Sequence, residues 1–246
     1  MKKKTLEDSL SGIRYPNNSL WGIAVHTGKW DIPEPILPYK IECQIKSLTL
    51  IAEILEPKPT RESKALIVGP ELGTEIVLLH KLGYKVLAVE LEEQKYPNRP
   101  HWIELSRDFI RENCGGLKIT KQNVIATLDE SEEPVLFLGD ASSLPEVPNS
   151  CFDIAFSFHT GDYHSPHNNW APIYSETARV MRPEGYFVLT YSAQCIQRLE
   201  TFLYPYFEII SRHKRDKVEI FGQDVSNDRE LFVTKSFQKV LARYKS

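Results

Sequence analysis

The chain has 246 residues and a formal net charge of -3, which suits one α/β domain with additions rather than two independent cores. Hydrophobic residues make up 41% and charged residues 26%, a globular balance that excludes a disordered chain and gives no excess of Lys and Arg for a broad phosphate-binding surface. No apolar run approaches the roughly 20 residues of a spanning helix, and the opening MKKKTLEDSL lacks the apolar core of a secretion signal. A cytoplasmic protein with neither a membrane nor a nucleic-acid partner is expected.

Residues 1–38 form an irregular arm carrying Trp21, Trp30 and four prolines, Pro16, Pro33, Pro35 and Pro38. From Tyr39 to Leu55 the residues Ile41, Ile45, Leu48, Ile51, Ala52 and Leu55 recur at helical spacing, and Pro57 and Pro59 forbid continuation. Short continuous apolar runs then alternate with helical stretches. Strands are expected at Ala65–Gly69, Lys85–Glu90, Val135–Asp140, Phe152–Phe158 and Tyr186–Tyr191, with helices at Glu75–Leu82, His101–Asn113, Pro172–Met181 and Gln194–Leu203. Runs that do not alternate belong to strands buried on both faces, as in a parallel sheet, so the fold class is α/β with helices on both faces. Two late strands, near Phe207–Arg212 and Leu231–Lys235, make an antiparallel end to the sheet. The polar stretch from Cys114 to Glu133 reads as a surface insertion, and the basic RHKRDK at Arg212–Lys217 as a solvated loop. The four cysteines, Cys43, Cys114, Cys151 and Cys195, are far apart and read as reduced thiols, not as a zinc site or a disulfide framework.

The chemistry concentrates where strands end. In VGPELGTE, Gly69 and Gly73 have the spacing of a glycine-rich strand-to-helix turn, in which glycine permits a positive φ and close approach of a ligand to the backbone. The next strand ends in Glu90, a carboxylate able to accept hydrogen bonds from both ribose hydroxyls of an adenosine lying across the strand tips. That geometry suits a nicotinamide or an adenosylmethionine cofactor equally, and a bare turn needs no ligand at all.

The segment LGDASSLPEVPNSCFDIAFS, with Gly-Asp-Ala closing a strand, Leu-Pro following and Phe-Asp opening the next, resembles class I S-adenosylmethionine-dependent methyltransferases. SETARVMRPEGYFVLTY is similar to that family's helix, turn and fifth strand, matching at Arg179, Val180, Arg182, Pro183 and Gly185, with Glu184 in place of a glycine. The likeness runs from about Leu50 to Phe237 and is closest to the small-molecule, ubiquinone-biosynthesis-like group. It implies a Rossmann-like methyltransferase fold over residues 39–246, with a mostly parallel seven-stranded sheet whose last strand is antiparallel, and the cofactor S-adenosylmethionine. It further implies that Asp140 bonds the adenine amino group and that the Ala141 backbone lies against the ring. Cofactor contacts are thus expected from Gly69, Glu71, Gly73, Glu90, Asp140 and Ala141. A nicotinamide oxidoreductase would leave the Gly-Asp-Ala and Arg-Pro-Glu-Gly segments unexplained.

Two departures bear on the site. Ile67 occupies the position where the family usually has an acid, and Glu71 replaces the central glycine, so Glu71 or Glu75 is expected to supply the missing carboxylate. After the fourth strand of the expected series, FHTGDYHSPHNNW offers His159, Asp162, Tyr163 and His164 to deprotonate or orient an acceptor, with His159 leading. The same loop, with His167, could hold a metal, although its spacing matches no zinc pattern and no metal is expected. Methyl transfer to oxygen or nitrogen of a small organic acceptor follows. The altered turn leaves an alternative, a fold relative that binds an adenosyl ligand or a partner protein without catalysis.

Overall fold

The computed structural model describes residues 60, 62–70, 73–91, 107–157, 170–192, 201, 203–214, 219–220, 223–224 and 229–236. The amino-terminal arm, the helix expected at 39–55 and most of the one expected at 194–203 lie outside these residues.

Strand β1 (Lys64–Val68) runs into helix α1 (Thr74–Leu82) and strand β2 (Lys85–Glu90). Helix α2 (Arg107–Cys114), strand β3 (Lys118–Thr120), helix α3 (Val124–Glu130) and strands β4 (Val135–Leu138) and β5 (Phe152–Ser157) follow. Helix α4 (Trp170–Val180) leads to strands β6 (Met181–Ser192), β7 (Phe207–Lys214), β8 (Glu219–Ile220), β9 (Gln223–Asp224) and β10 (Arg229–Ser236). The main sheet is eight-stranded, in the order β3, β4, β2, β1, β5, β6, β10, β7. Every neighbouring pair is parallel except those of β10, which runs antiparallel to both β6 and β7. β8 and β9 form a separate antiparallel ribbon.

The continuous apolar runs have the meaning expected of them. Ala65 and Ile67 of β1 face a core built with Ile76, Val77, Phe109 and Ile110 of α1 and α2. Leu66 and Val68 face a second core with Val124, Leu128 and Tyr174 of α3 and α4. Alternate residues of one strand thus serve opposite layers, and both layers are covered by helices.

The expected seven strands become eight because the segment taken as a surface insertion supplies one. β3 pairs with β4, and α3 buries Val124 and Leu128, so residues 114–133 extend the layered fold. Arg212, His213 and Lys214 of the basic cluster are not in a loop either; they pair with β10 opposite Phe232, Leu231 and Glu230. The turn expected before Tyr186 is absorbed into β6, where Glu184 takes a φ of 65° and the register with β5 shifts. Glycine is the easier residue at such a φ. Glu184 is held there by an ion pair with Lys235 of β10.

Asp153, of the Phe-Asp pair, works at the amino end of the sheet. It accepts from Lys64 N (2.8 Å) and from Arg182 Nη1 (2.6 Å), tying β5 to the starts of β1 and β6. A buried imperfection lies in α4: Thr177 is 1% exposed and its Oγ1 has no partner among the described residues. Thr177→Val keeps the shape and removes an unsatisfied hydroxyl, and the two residues have similar helix propensities. Stability should rise by about 1 kcal/mol, a gain of about 2–4 °C in melting temperature for a chain of this size. A fall in melting temperature would mean that the hydroxyl is bonded after all.

Candidate functional site

β4, β2 and β1 are neighbours and parallel, so their carboxyl ends, and the loops that leave them, lie side by side. β1 ends at Val68, and Gly69 takes a left-handed φ of 67° while its amide donates to Val89 O of β2 (2.9 Å). Gly73 is also left-handed (φ 68°), donates to Pro70 O (2.7 Å) and caps α1 with no side chain bonded to its first turn. A side chain at either position would force a costly backbone state, which is why glycine stands at both. The start of α1 is buried, and its cap residue brings no side chain of its own to the first-turn amides.

Glu90 ends β2 half-buried. Its Oε1 accepts from Leu91 N (3.1 Å), and its backbone carbonyl accepts from Gly139 N at the end of β4 (2.8 Å). Asp140 follows, exposed, with Oδ1 accepting from Ser142 N (2.8 Å) and its carbonyl from Ser143 N (3.0 Å), so the carboxylate shapes its own turn. Ala141 packs against the second core. The backbone pairs Gly69 to Val89 and Gly139 to Glu90 pin the glycine turn, the Glu90 tip and the Asp140 turn to one edge.

Of the sequence-expected cofactor residues, Gly69, Gly73, Glu90, Asp140 and Ala141 are brought to this edge, while Glu71 lies outside the described residues. Ile67 is 1% exposed inside the core and cannot reach a ligand. Glu75, in the first turn of α1, is 4% exposed and accepts a hydrogen bond from Thr74 Oγ1 (3.1 Å). His159, Asp162, Tyr163, His164 and His167 all lie outside the described residues. Cys114 and Cys151 are buried free thiols. Burial pushes Cys114 up to about 12 and raises Cys151 as well, so neither is a thiolate nucleophile near neutral pH.

One polar cluster had no role assigned from sequence. Arg179 Nε and Nη2 fork onto the Glu176 carboxylate (2.8 and 2.7 Å), while Nη1 and Nη2 donate to Val147 O (2.9 Å) and Leu144 O (2.8 Å) and Nη1 to Asn149 Oδ1 (2.7 Å). Glu176 also accepts from Leu144 N (2.6 Å). The hints in the sequence are the Glu-x-x-Arg spacing on one helix face and the match of Arg179 to the family's motif. The hydrogen bond from Arg179, against some opposing burial and with help from the Leu144 amide, holds Glu176 below its ordinary value of 4.5. A lowered carboxyl contributes stability that is fully present above that ordinary value and is lost as pH falls through the folded one. Urea titrations of Glu176→Gln should therefore show a shallower loss of stability on acidification below about pH 4.5. An acid limb parallel to that of the unaltered protein would remove Glu176 from the set of protons taken up on unfolding.

A model for a methyltransferase domain matches residues 101–189. No curated protein matches the chain. Among solved structures, the PH0226 protein of Pyrococcus horikoshii OT3 is 16% identical and superposes with a TM-score of 0.53 over 80% of this chain and 91% of its own. A SAM-dependent methyltransferase from Methanosarcina mazei is 15% identical, with a TM-score of 0.50 over 74% and 98%. The cyclase SpnF, 15% identical, gives 0.52 over 78% and 80%. At such identities the likeness is one of fold.

Proposed function

We propose, from the premise that residues 101–189 match a methyltransferase domain and that the fold is the one S-adenosylmethionine-dependent methyltransferases share, that the chain transfers the methyl group of that cofactor to oxygen or nitrogen of a small organic acceptor. The observation that carries the reading is the shared edge on which the Gly69–Gly73 turn, Glu90 and the Asp140 turn follow the ends of the adjacent strands β1, β2 and β4 in that order, pinned by the Gly69 and Gly139 amides. The donor set fits an adenosyl group. Glu90 would accept from the ribose hydroxyls, Asp140 from the adenine amino group, and the glycine turn would let the ligand approach the backbone. Among the described residues Glu75 is the buried acid nearest in sequence to that turn, and Glu71 shares its claim on the cofactor ammonium.

The cofactor, when bound, supplies a methyl group already activated on sulfur. The chain has to hold the acceptor in line with it and keep water away. An acceptor that arrives protonated also needs a base, and the segment after β5 offers His159 first, with Asp162, Tyr163 and His164 to orient the acceptor.

The burial of Ile67 favours a second reading, binding of an adenosyl ligand without turnover, because the usual acid is absent from that strand. Thermal shift with S-adenosylmethionine, S-adenosylhomocysteine and NAD distinguishes the cofactor classes: the first two should raise the melting temperature and NAD should not. Transfer of labelled methyl to a panel of phenols, carboxylic acids and amines then separates catalysis from binding alone. Stabilisation by NAD alone would overturn both readings.

A further inference from the structure

We propose that Glu176 and Arg179 are positioning residues for the base of the cofactor, holding the Asp140–Ala141 turn in place from α4 through Leu144. The inference rests on the adenosyl reading of that turn. Neither side chain belongs to the strand-end edge; both act on the loop that leaves it. Asp140 O is bonded by Ser143 N, and the next residue, Leu144, is gripped at both of its backbone groups, its amide by Glu176 and its carbonyl by Arg179. Val147 N also donates to Leu144 O (2.9 Å), and Arg179 Nη1 takes Val147 O and Asn149 Oδ1. The loop is closed from behind as well: Ser150 N donates to Arg179 O (3.1 Å) and Cys151 N to Val180 O (2.7 Å).

A planar guanidinium can hold two carbonyls and a carboxylate at fixed angles at once, which the single ammonium of lysine cannot. The Glu176 and Arg179 side chains are 15% and 27% exposed, so water competes only partly for these bonds. Leu144 and Val147 anchor the same loop in the second core, which makes its far half rigid without the clamp. What the clamp adds is a second hold on the first half, where Asp140 is exposed and its turn is otherwise pinned by Gly139 N on Glu90 O and by the packing of Ala141. Loss of the clamp should therefore cost ligand affinity more than it costs folding.

The test is binding of S-adenosylhomocysteine by calorimetry, with amide hydrogen exchange across residues 140–150 of the ligand-free protein. Arg179→Gln should speed exchange at Ser142, Ser143 and Leu144 and weaken binding about tenfold, the value of one well-placed hydrogen bond to a charged group. Arg179→Lys should not restore affinity. In an Asp140→Ala background the Arg179→Gln effect should shrink to about threefold or less, because the residue through which it acts is gone. Glu176→Gln replaces Arg179→Gln if the latter does not fold. Unchanged affinity in a folded Arg179→Gln protein, or a full tenfold loss in the Asp140→Ala background, would overturn the proposal and leave the adenosyl reading standing. Failure of the unaltered protein to bind at all would overturn that reading and the proposal together.

Discussion

Replacing Glu90 with alanine should lower affinity for S-adenosylhomocysteine by about a hundredfold or more, a larger loss than replacing Asp140 should give. A carboxylate that accepts from two ribose hydroxyls makes two charge-assisted bonds of about 1.5–3 kcal/mol each, and tenfold in affinity is about 1.4 kcal/mol. Glu90 is half-buried at the tip of an interior strand, between β1 and β4, so its position is fixed by the sheet before any ligand arrives. Asp140 is exposed and already spends Oδ1 on Ser142 N. Its loss should cost about tenfold, close to one bond to the adenine amino group partly shared with water. Glu90→Gln, which keeps an acceptor and loses the charge, should fall between the alanine variant and the unaltered protein. The ranking is the sensitive readout. Equal losses at the two positions would mean that the ligand does not lie across the strand tips, and an unaffected Glu90→Ala protein would remove the ribose contact.

Phe187→Ala should cost about 3–5 kcal/mol of folding stability, the range for truncating a large buried aromatic. Phe187 is fully buried in β6, with its ring centroid 5.9 Å from Tyr174 of α4 and 5.2 Å from Phe207 of β7 at tilted angles. Tilted aromatic pairs add about 0.5–1.5 kcal/mol each beyond the area they bury. Three elements meet at this ring, so none can collapse into the space it leaves without pulling on the other two. A domain has about 5–15 kcal/mol in total, so the substitution takes a large share. Urea unfolding should show the midpoint falling with the slope unchanged. Ile119→Ala on the exposed edge strand should stay within about 0.5 kcal/mol. A Phe187→Ala loss below about 1 kcal/mol would place the ring outside a tightly packed core.

What was legible in the sequence follows from how much each element buries. β1, β2, β4 and β5 are continuous apolar runs because helices cover both faces, and such runs are visible without tertiary information. The placement of Gly69, Gly73, Glu90 and Asp140 at the strand ends was legible because each stands at a fixed offset from the end of one of those runs. β3 was not: Lys118, Ile119 and Thr120 form an edge strand of three residues whose one apolar side chain is 43% exposed, so there is no run to see. α3 buries only Val124 and Leu128, and its cap Asn123 takes a left-handed φ of 55°, so both its periodicity and its start signal are weak. The role of Arg179 was hidden for another reason. Its partners Leu144 and Val147 lie far back in the sequence, and only folding brings them together.

The position of β10 governs how the sheet can be completed. Arg229–Lys235 pair with β6 along one side and Glu230–Ser236 with β7 along the other, though β7 precedes β10 in the chain. As the chain folds, β7 therefore has no strand neighbour in the main sheet until β10 inserts between it and β6. Pairings this distant in sequence form slowly and leave sticky margins open meanwhile. A chain cut before Arg229 would hold a sheet that stops at β6, with β7 unpaired and an open edge that invites association with other copies.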